Sequence, residues 1–341
     1  MLWTSTFPGN VLSVKHAPFM TPWLLPLRLL LVAVYSPIIF LRNLFYDLGV
    51  FKSHRVSTVV ISVGNISVGG SGKTILVQSL VAYFLAHNKK PTILSRGYGR
   101  STSGLFLVAS QDELLGSPED SGDEPFLMAK NFPGVPVLVA EDRVKGAQHL
   151  INKFDPDVII LDDGFQHRRL ARDLDIVLID FAEDAPQPLL PWGRLREHGR
   201  NISRADQVVY SKNGQRATPD QNLQITLDYQ VFDQDNNACE LNTLEGEYGL
   251  FAGLGNPESF FDSVAEIHGS PKTLISFDDH TKYGQKELKE IAGNHCDYWI
   301  TTQKDFVKMD PLFCQQNSVY YILAKAALPM CLLDDLKHRF N

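Results

Sequence analysis

Three stretches of this 341-residue sequence predict an α/β fold: a mostly parallel sheet with helices on both faces, joined by a smaller C-terminal α/β unit. In the first, Val59 to Thr74, a β-branched run feeds a glycine-rich turn and then an apolar helical segment. In the second, Asp157 to His167, an apolar run ends in paired aspartates. In the third, from Tyr248 onward, strand and helix patterns alternate afresh. Strand, glycine loop and helix in that order, followed by a strand closed by a carboxylate, are the parts of a P-loop NTPase-type domain.

The first stretch carries the chemistry most directly. Glycines at 69, 70 and 72 let backbone N–H groups turn inward, and the start of the following helix (residues 75–86) adds positive potential. Ser67, Val68, Gly69, Gly70, Ser71, Gly72, Lys73 and Thr74 are therefore the expected nucleotide-binding loop. Lys73 is expected to reach the β- and γ-phosphates and Thr74 to ligate Mg²⁺. Ser67 stands where the usual first glycine would be, so the strict G-x-x-x-x-G-K-[ST] pattern fails at one position. A turn that merely joins strand to helix would need neither Lys73 nor Thr74.

Composition narrows the class. Four cysteines (Cys239, Cys296, Cys314, Cys331) show no C-x-x-C pair or metal-ligand spacing and read as reduced thiols. The net charge of −7 speaks against a general nucleic-acid binder. Residues 1–56 set Lys15, Arg28, Arg42, Lys52 and Arg55 against Asp47 alone, a net +4 that leaves −11 on the remainder. A basic, apolar N-terminus on an acidic body points to an anionic membrane surface.

Residues 23–51 are apolar but interrupted by Pro26, Arg28, Pro37, Arg42 and Asp47. The longest uncharged run, residues 29–41, would cover about 20 Å as a helix, short of the ~30 Å hydrocarbon core. A cleavable signal peptide fits poorly, because the apolar run starts late and a P-loop strand follows it. Two readings remain, an interfacial anchor or an amphipathic helix packed on the body. Trp23, Tyr35, Phe40, Phe45, Tyr46 and Phe51 beside cations favour the anchor, lying on the membrane or dipping in rather than spanning it.

Along the body, residues 91–95 form an expected strand before Arg96-Gly97-Tyr98-Gly99-Arg100, a cationic turn suited to phosphate or simply solvated. Residues 111–124 read as a loop over one face. Asp123 then precedes a short helix at 126–131, and spacing alone favours it as that helix's N-cap. Residues 135–140 form a strand leading to Glu141-Asp142-Arg143 and a helix reaching Phe154. The run 157–162 resembles a Walker B strand, whose carboxylates Asp162 and Asp163 would lie beside the P-loop where Mg²⁺ sits. Strands at 176–180 and 207–210 complete five or six, and the loop around Arg194 and Arg196 could hold a phosphate or sugar. The polar stretch 213–247 reads as strands or a linker. Beyond it come strands at 248–254, 273–277 and 298–302, with helices through Ile267 and near 286–292. The expected organisation is 1–56 membrane-associated, 57–225 P-loop core, 226–247 linker strands and 248–341 the smaller domain.

Taken together, several stretches resemble the tetraacyldisaccharide 4′-kinases, the lipid A 4′-kinases of Gram-negative bacteria. They are residues 63–74, Ser95-Arg-Gly-Tyr-Gly-Arg100, Gly122-Asp-Glu-Pro125, Asp162-Asp-Gly-Phe-Gln-His167, Leu195-Arg-Glu197, Gly253-Leu-Gly-Asn-Pro257, Asp279-His280 and Thr302-Gln-Lys-Asp305. These occur in the family's order and span most of the chain. The six-residue Asp162 to His167 stretch is far more specific than a P-loop. The family's P-loop also lacks the first glycine, which accounts for Ser67.

The resemblance implies transfer of the ATP γ-phosphate to the 4′-hydroxyl of a tetraacylated glucosamine disaccharide 1-phosphate, giving lipid IVA. ATP and Mg²⁺ are the implied cofactors. The acylated disaccharide lipid and a membrane surface, at the cytoplasmic face of the bacterial inner membrane, are the implied partners. No nucleic acid and no obligate protein partner are expected. Asp123 matches the catalytic base and His280 its partner from the other domain, with Lys73 completing the catalytic set. Thr74, Asp162 and Asp163 match the metal site, and Arg143, Gln166, His167, Arg196 and Glu197 match residues near the phosphates or the disaccharide. Ile75, Trp192 and Gln303 depart from the family's usual residues, and the last puts any role of position 303 in question. The competing classes are a P-loop switch acting on protein partners, which often carries a lysine where this chain has Val68, and a soluble small-molecule kinase, which would not need residues 23–51.

Overall fold

A computed structural model describes residues 25–69, 72–180, 188–211 and 224–340. Gly70 and Ser71 of the expected nucleotide loop, and Trp23 of the expected anchor, lie outside the described residues. The chain forms two compact units, with the break at Asp228/Tyr229 and again at Ala324/Lys325.

The larger unit opens with α1 (Leu25–Asp47), a 23-residue helix that runs through Pro37 and Arg42 instead of stopping at them. At 1.5 Å per residue it is roughly 34 Å long, well beyond the stretch that uninterrupted apolarity suggested. Length and composition alone would let it cross a membrane. Alternating strands and helices follow: β1 (Val59–Gly64), α2 (Lys73–Ala86), β2 (Pro91–Ser95), β3 (Phe106–Ala109), α3 (Pro118–Ser121), α4 (Asp123–Asn131), β4 (Val137–Val139), α5 (Arg143–Phe154), β5 (Val158–Asp162), β6 (Leu174–Asp180), β7 (Gln207–Ser211) and β8 (Gln224–Phe232). The strand order is β8-β7-β6-β1-β5-β2-β4-β3, parallel between β8 and β4 and antiparallel only where β3 joins the edge.

Strand alternation explains the helices on both faces. Ile61 and Val63 of β1 point into a core shared with Leu76, Leu80 and Phe84 of α2, whereas Val60 enters the opposite core with Val144, Ala147 and Leu150 of α5. Each buried Leu, Ile or Phe contributes about 1.5–3 kcal/mol, so these two layers hold the site's frame rigid. The register pairs Val63 with Asp162, which places the end of β5 beside the start of the glycine loop.

The smaller unit carries the rest of β8, then β9 (Ala238–Cys239), β10 (Tyr248–Ala252), α6 (Pro257–His268), β11 (Thr273–Ser276), α7 (Gln285–Ala292), β12 (Tyr298–Thr302), α8 (Gln303–Phe306), α9 (Pro311–Gln316) and most of β13 (Val319–Ala327). β11, β10, β12 and β13 lie side by side in that order, all parallel. Leu250 and Ile300 face one core, Phe251 and Trp299 the other.

The end of β13 and α10 (Met330–Phe340) return to the larger unit, whereas the sequence expectation kept 248–341 together. Their apolar face decides this. Leu332 and Leu336 are buried in the α2 core, Phe340 packs edge-on to Phe84, and Ser79 Oγ donates to Ala326 O at 2.7 Å.

Candidate functional site

The glycine loop is held from one side by residues 194–196, through an isolated β-bridge. Val68 N donates to Arg194 O (2.8 Å), Arg194 Nε to Val68 O (3.0 Å), and Arg196 N to Ile66 O (2.7 Å). Ser67 sits within this pairing, opposite Leu195, at no positive φ. That is why serine serves where the strict motif has glycine. Gly69 does need to be glycine: its φ is 121°, and a Cβ there would collide with Arg194 Nη2. Gly72, at φ 83°, caps α2, whose first two residues are Lys73 and Thr74.

Asp162 is 2 % exposed. Its Oδ2 accepts from Ser95 Oγ at 2.9 Å, and its Oδ1 accepts no hydrogen bond among the described residues. Burial, the nearby Glu124 charge and Asp163 push its pKa well above the ordinary carboxylate range. Asp163, at φ 53°, lies 3.9 Å from Lys73 Nζ and accepts from Arg196 Nη1 at 2.6 Å. Burial raises its pKa, but Lys73 and Arg196 outweigh that and hold it below the usual value. A buried carboxylate oxygen with no donor, next to Thr74's helix turn, is what a divalent cation would satisfy, so the residues fit Mg²⁺. No cluster of three or more His, Cys, Asp or Glu is present among the described residues. Mg²⁺ sites need only one or two carboxylates, the remaining positions being taken by phosphate oxygens and water.

Beside Asp163 opens a cavity of about 230 Å³, lined by Arg42, Arg96, Arg143 and Arg196 with Glu141, Asp163, Gln166 and His167. Arg143, 4 % exposed, starts α5 and donates to Glu141 O at 3.3 Å. Burial and Arg96 bring its pKa down to about 10, which leaves it charged at neutral pH. Burial and Arg143 bring His167 down to about 4, so its ring is neutral, and its Nε2 has no hydrogen-bond partner among the described residues. Gln166 Nε2 donates to Asn65 O (2.7 Å), and its Oε1 accepts from Arg196 Nη1 (3.3 Å). The structure thus brings Lys73, Asp162, Asp163, Arg143, Gln166, His167 and Arg196 together.

Three expectations need revision. Asp123 does not cap a helix at 126–131, because α4 begins three residues earlier. The cap is Gly122 at φ 90°, where a Cβ would lie 2.7 Å from Tyr98 O, and Asp123 is the first helical residue. Glu197 does not line the cavity. It is fully buried and accepts from Asn43 Nδ2 (3.0 Å), Gln166 Nε2 (3.0 Å), Asn201 Nδ2 (2.8 Å) and both Arg204 terminal nitrogens (2.8 and 3.0 Å). With that many donors on two oxygens it has nothing to offer a substrate. The cationic turn divides in role: Arg96 lines the cavity, whereas Arg100 pairs with Glu141 and closes its own turn on Gly104 O at 2.7 Å.

His280 lies in the smaller unit, at φ 63°, with Nε2 3.7 Å from Asp279 Oδ2. Asp279 in turn accepts from Lys304 Nζ at 2.9 Å. The Thr302 to Asp305 stretch is structural at its end: Asp305 is fully buried and accepts from Gly253 N (3.0 Å) and Thr302 Oγ1 (2.7 Å). Sequence reading missed Arg42 and Glu141 as cavity walls and Asn43 as a buried anchor, because nothing local marks a polar residue inside an apolar helix as inward-facing.

Comparison with known proteins shows what the chain is similar to. Residues 20–341 match the family model described as tetraacyldisaccharide-1-P 4′-kinase. A tetraacyldisaccharide 4′-kinase of Chlorobaculum parvum is 38 % identical over 298 residues, covering 81 % of this chain and 82 % of that protein. One from Geobacter metallireducens is 35 % identical over 324 residues, covering 91 % and 95 %. Among solved structures, the LpxK of Aquifex aeolicus, an "apo" form in complex with ATP, superposes with a TM-score of 0.74 at 35 % identity, covering 94 % of this chain and 99 % of that one.

Proposed function

The chain belongs to the tetraacyldisaccharide-1-phosphate 4′-kinase family, an ATP-dependent kinase of lipid A biosynthesis, and from that premise we propose how its residues divide the work. The observation that carries the proposal is that Asp163, 3.9 Å from Lys73 Nζ and next in sequence to the buried Asp162, lines a cavity with four arginines.

ATP, which the Aquifex aeolicus protein holds in its crystal structure, enters here at the glycine loop. The glycine loop and the start of α2 receive its phosphates, and Lys73 neutralises the transferring group. Thr74, Asp162 and Asp163 would hold Mg²⁺. When bound, that ion supplies charge neutralisation across the β- and γ-phosphates. Ser95 fixes the Asp162 carboxylate, and Arg196 fixes Asp163, so neither has to reorganise. Arg143, Gln166, His167 and Arg196 line the space for the acceptor sugar and its phosphate.

A sugar hydroxyl is a poor nucleophile at neutral pH. Asp123, at the start of α4, acts as the base that receives its proton, with His280 as the second residue of the transfer step.

The acceptor is a four-chain lipid, and α1 takes the enzyme to it. Leu30, Leu31, Val34, Ile38 and Leu41 are exposed along one stripe of α1. Its other edge is tied to the body by Tyr35 Oη to Arg196 O (2.7 Å), Ser36 Oγ to His198 Nε2 (3.2 Å) and Asn43 to Glu197. A helix bound to the body by polar contacts over its second half lies on a membrane instead of crossing it. The site is the cytoplasmic face of the inner membrane.

The test is transfer of labelled phosphate from ATP to tetraacyldisaccharide 1-phosphate in detergent. The expected result is 4′-phosphorylated product that depends on Mg²⁺. Folded protein that hydrolyses ATP without labelling the lipid would overturn the assignment.

A further inference from the structure

Three sequence motifs of the smaller unit, only one of which carries a residue of the transfer step, end side by side. They are the loop after β10 (residues 253–257), the turn after β11 (277–281) and the start of α8 (302–305). Topology brings them together. β11 and β12 flank β10 on opposite sides and run parallel to it, so the carboxyl ends of all three strands share one edge of the sheet. Gly253 marks how close they come: a Cβ there would lie 3.0 Å from Asp305 Oδ1 and 3.2 Å from Asp278 O.

The 302–305 end is the anchored one. Thr302 Oγ1 caps α8 by accepting from Asp305 N (3.2 Å). The fully buried Asp305 accepts from Gly253 N (3.0 Å) and Thr302 Oγ1 (2.7 Å), with Lys308 Nζ 3.4 Å from its other oxygen. Lys304 leaves this turn with its side chain 14 % exposed, and its Nζ donates to Asp279 Oδ1 at 2.9 Å. The same oxygen accepts from His280 N at 3.0 Å. With Oδ1 held twice, Oδ2 is turned toward the imidazole, 3.7 Å from His280 Nε2. The backbone is bent to suit. Thr281 N (3.1 Å) and Thr281 Oγ1 (2.6 Å) both donate to Asp278 O, and His280 lies inside that turn at φ 63°. This is a left-handed conformation that a histidine keeps only where its surroundings impose it.

A carboxylate on one side of an imidazole does two things. It keeps the proton of the neutral ring on the facing nitrogen, and it stabilises the imidazolium when the ring is charged. Asp279 is 44 % exposed, so its own surroundings do not fix it; Lys304 does. We propose that Lys304 and Asp279 are positioning residues of phosphoryl transfer, Lys304 fixing the Asp279 carboxylate and Asp279 fixing the orientation and tautomer of the His280 ring. The inference rests on the reading that His280 is the second residue of the transfer step. It brings the 302–305 motif into that step through His280 alone.

The test is a double-mutant cycle on the full chain, read as steady-state transfer of labelled phosphate to the acceptor in detergent. Lys304→Met keeps most of the buried stem and removes the charge. It is expected to lower kcat about tenfold or more with KM for ATP within about twofold of wild type, and Lys304→Arg to recover most of the loss. Asp279→Asn keeps the shape of a half-exposed side chain, is expected to match Lys304→Met, and carries the test if that variant does not fold. In a His280→Gln background each substitution should cost less than about twofold, because its route to the reaction is already cut. A lysine with a merely structural role would add its own loss to that of His280→Gln. Additive losses, or wild-type turnover in both Lys304→Met and Asp279→Asn while His280→Gln is impaired, overturn the positioning role and leave His280 in the transfer step. Wild-type turnover in His280→Gln itself overturns both the role and the reading on which it rests.

Discussion

Glu197→Gln separates a carboxylate that touches substrate from one that holds the structure. The residue is fully buried and takes donors from α1, from the Asp162 to His167 segment and from the turn that ends at Arg204. Burial raises its pKa, yet hydrogen bonds and charge from Arg204 overcome this and hold it below the usual glutamate value. The amide keeps the shape but loses the charge. It turns an NH₂ group toward Asn43, Asn201 or Arg204, all of them donors, and leaves the Arg204 guanidinium (17 % exposed) without its counter-ion. Breaking a buried pair by neutralising one partner costs about 3–5 kcal/mol. At about 2–4 °C per kcal/mol for a domain of this size, the melting temperature of the larger unit should fall by roughly 6–20 °C.

The assay is scanning calorimetry beside steady-state kinetics at a temperature well below both transitions. The melting point should fall, and kcat should stay within about tenfold of wild type, because Glu197 acts through Gln166 and Asn43 rather than on the phosphates. A melting point within about 2 °C of wild type together with a kcat loss of about 10³-fold would refute the reasoning. It would mean that the loop opens and presents Glu197 to the reacting groups.

Three further outcomes follow from the same geometry. Asp123→Ala should lower turnover by about 10²-fold or more while nucleotide binding, read by calorimetry, survives; near-normal turnover would remove Asp123 as the base. Ser95→Ala takes away the hydrogen bond that Ser95 gives Asp162 Oδ2 and should raise the Mg²⁺ concentration for half-maximal nucleotide binding by about tenfold, read by nucleotide fluorescence; no change would take Asp162 out of the metal site. His167 has a folded pKa of about 4 against 6.5 unfolded, so the unfolded chain binds more protons between those values and stability rises with pH across that window. The contribution is complete above 6.5 and lost as pH falls toward 4. Since the ring is only partly buried, the loss is about 1–2 kcal/mol rather than the full shift. Asp162 and Asp175, with raised pKa values, give the opposite slope, so the comparison is urea unfolding of wild type and His167→Gln across that range, where the variant should lose less; parallel curves would refute it.

Most of the frame was legible because it is periodic or glycine-marked. β1, β5 and β10 are apolar runs bounded by glycine or aspartate, and the glycine loop declares itself by Gly-Lys-Thr. The misses have one physical cause. β3 is a four-residue antiparallel edge, too short to show a period, and α3 depends on a Ser117 and Asp120 capping box inside a stretch that reads as loop. Arg100 and Glu197 carry charges that local sequence assigns to solvent or to substrate. Only tertiary contact shows that they are paired and buried. Residue types for the site could be read along the chain, but which of them face the cavity is decided by packing at long sequence separation.

That distinction decides how the membrane reading must be tested. Deleting residues 1–51 removes the exposed stripe of α1, but it also removes Tyr35 from Arg196, Asn43 from Glu197, and Arg42 from the cavity wall. Loss of activity or of membrane binding in such a truncation would then have two causes. The cleaner perturbation keeps the docked edge and changes only the outward one: Leu31→Ser, Val34→Ser and Ile38→Ser together, all at positions 45–57 % exposed. Each removes about 1.5–3 kcal/mol of apolar burial in lipid at most, so three together should weaken vesicle binding by more than about 10²-fold. The melting temperature should hold, since none of the three enters a core. Turnover on a lipid acceptor dispersed in detergent should also hold, because Arg196 and Glu197 keep their partners, whereas turnover on acceptor embedded in vesicles should drop. If the triple variant still sediments with vesicles as wild type does, the stripe of α1 is not what meets the membrane, and the polar edge that docks it serves the catalytic unit alone.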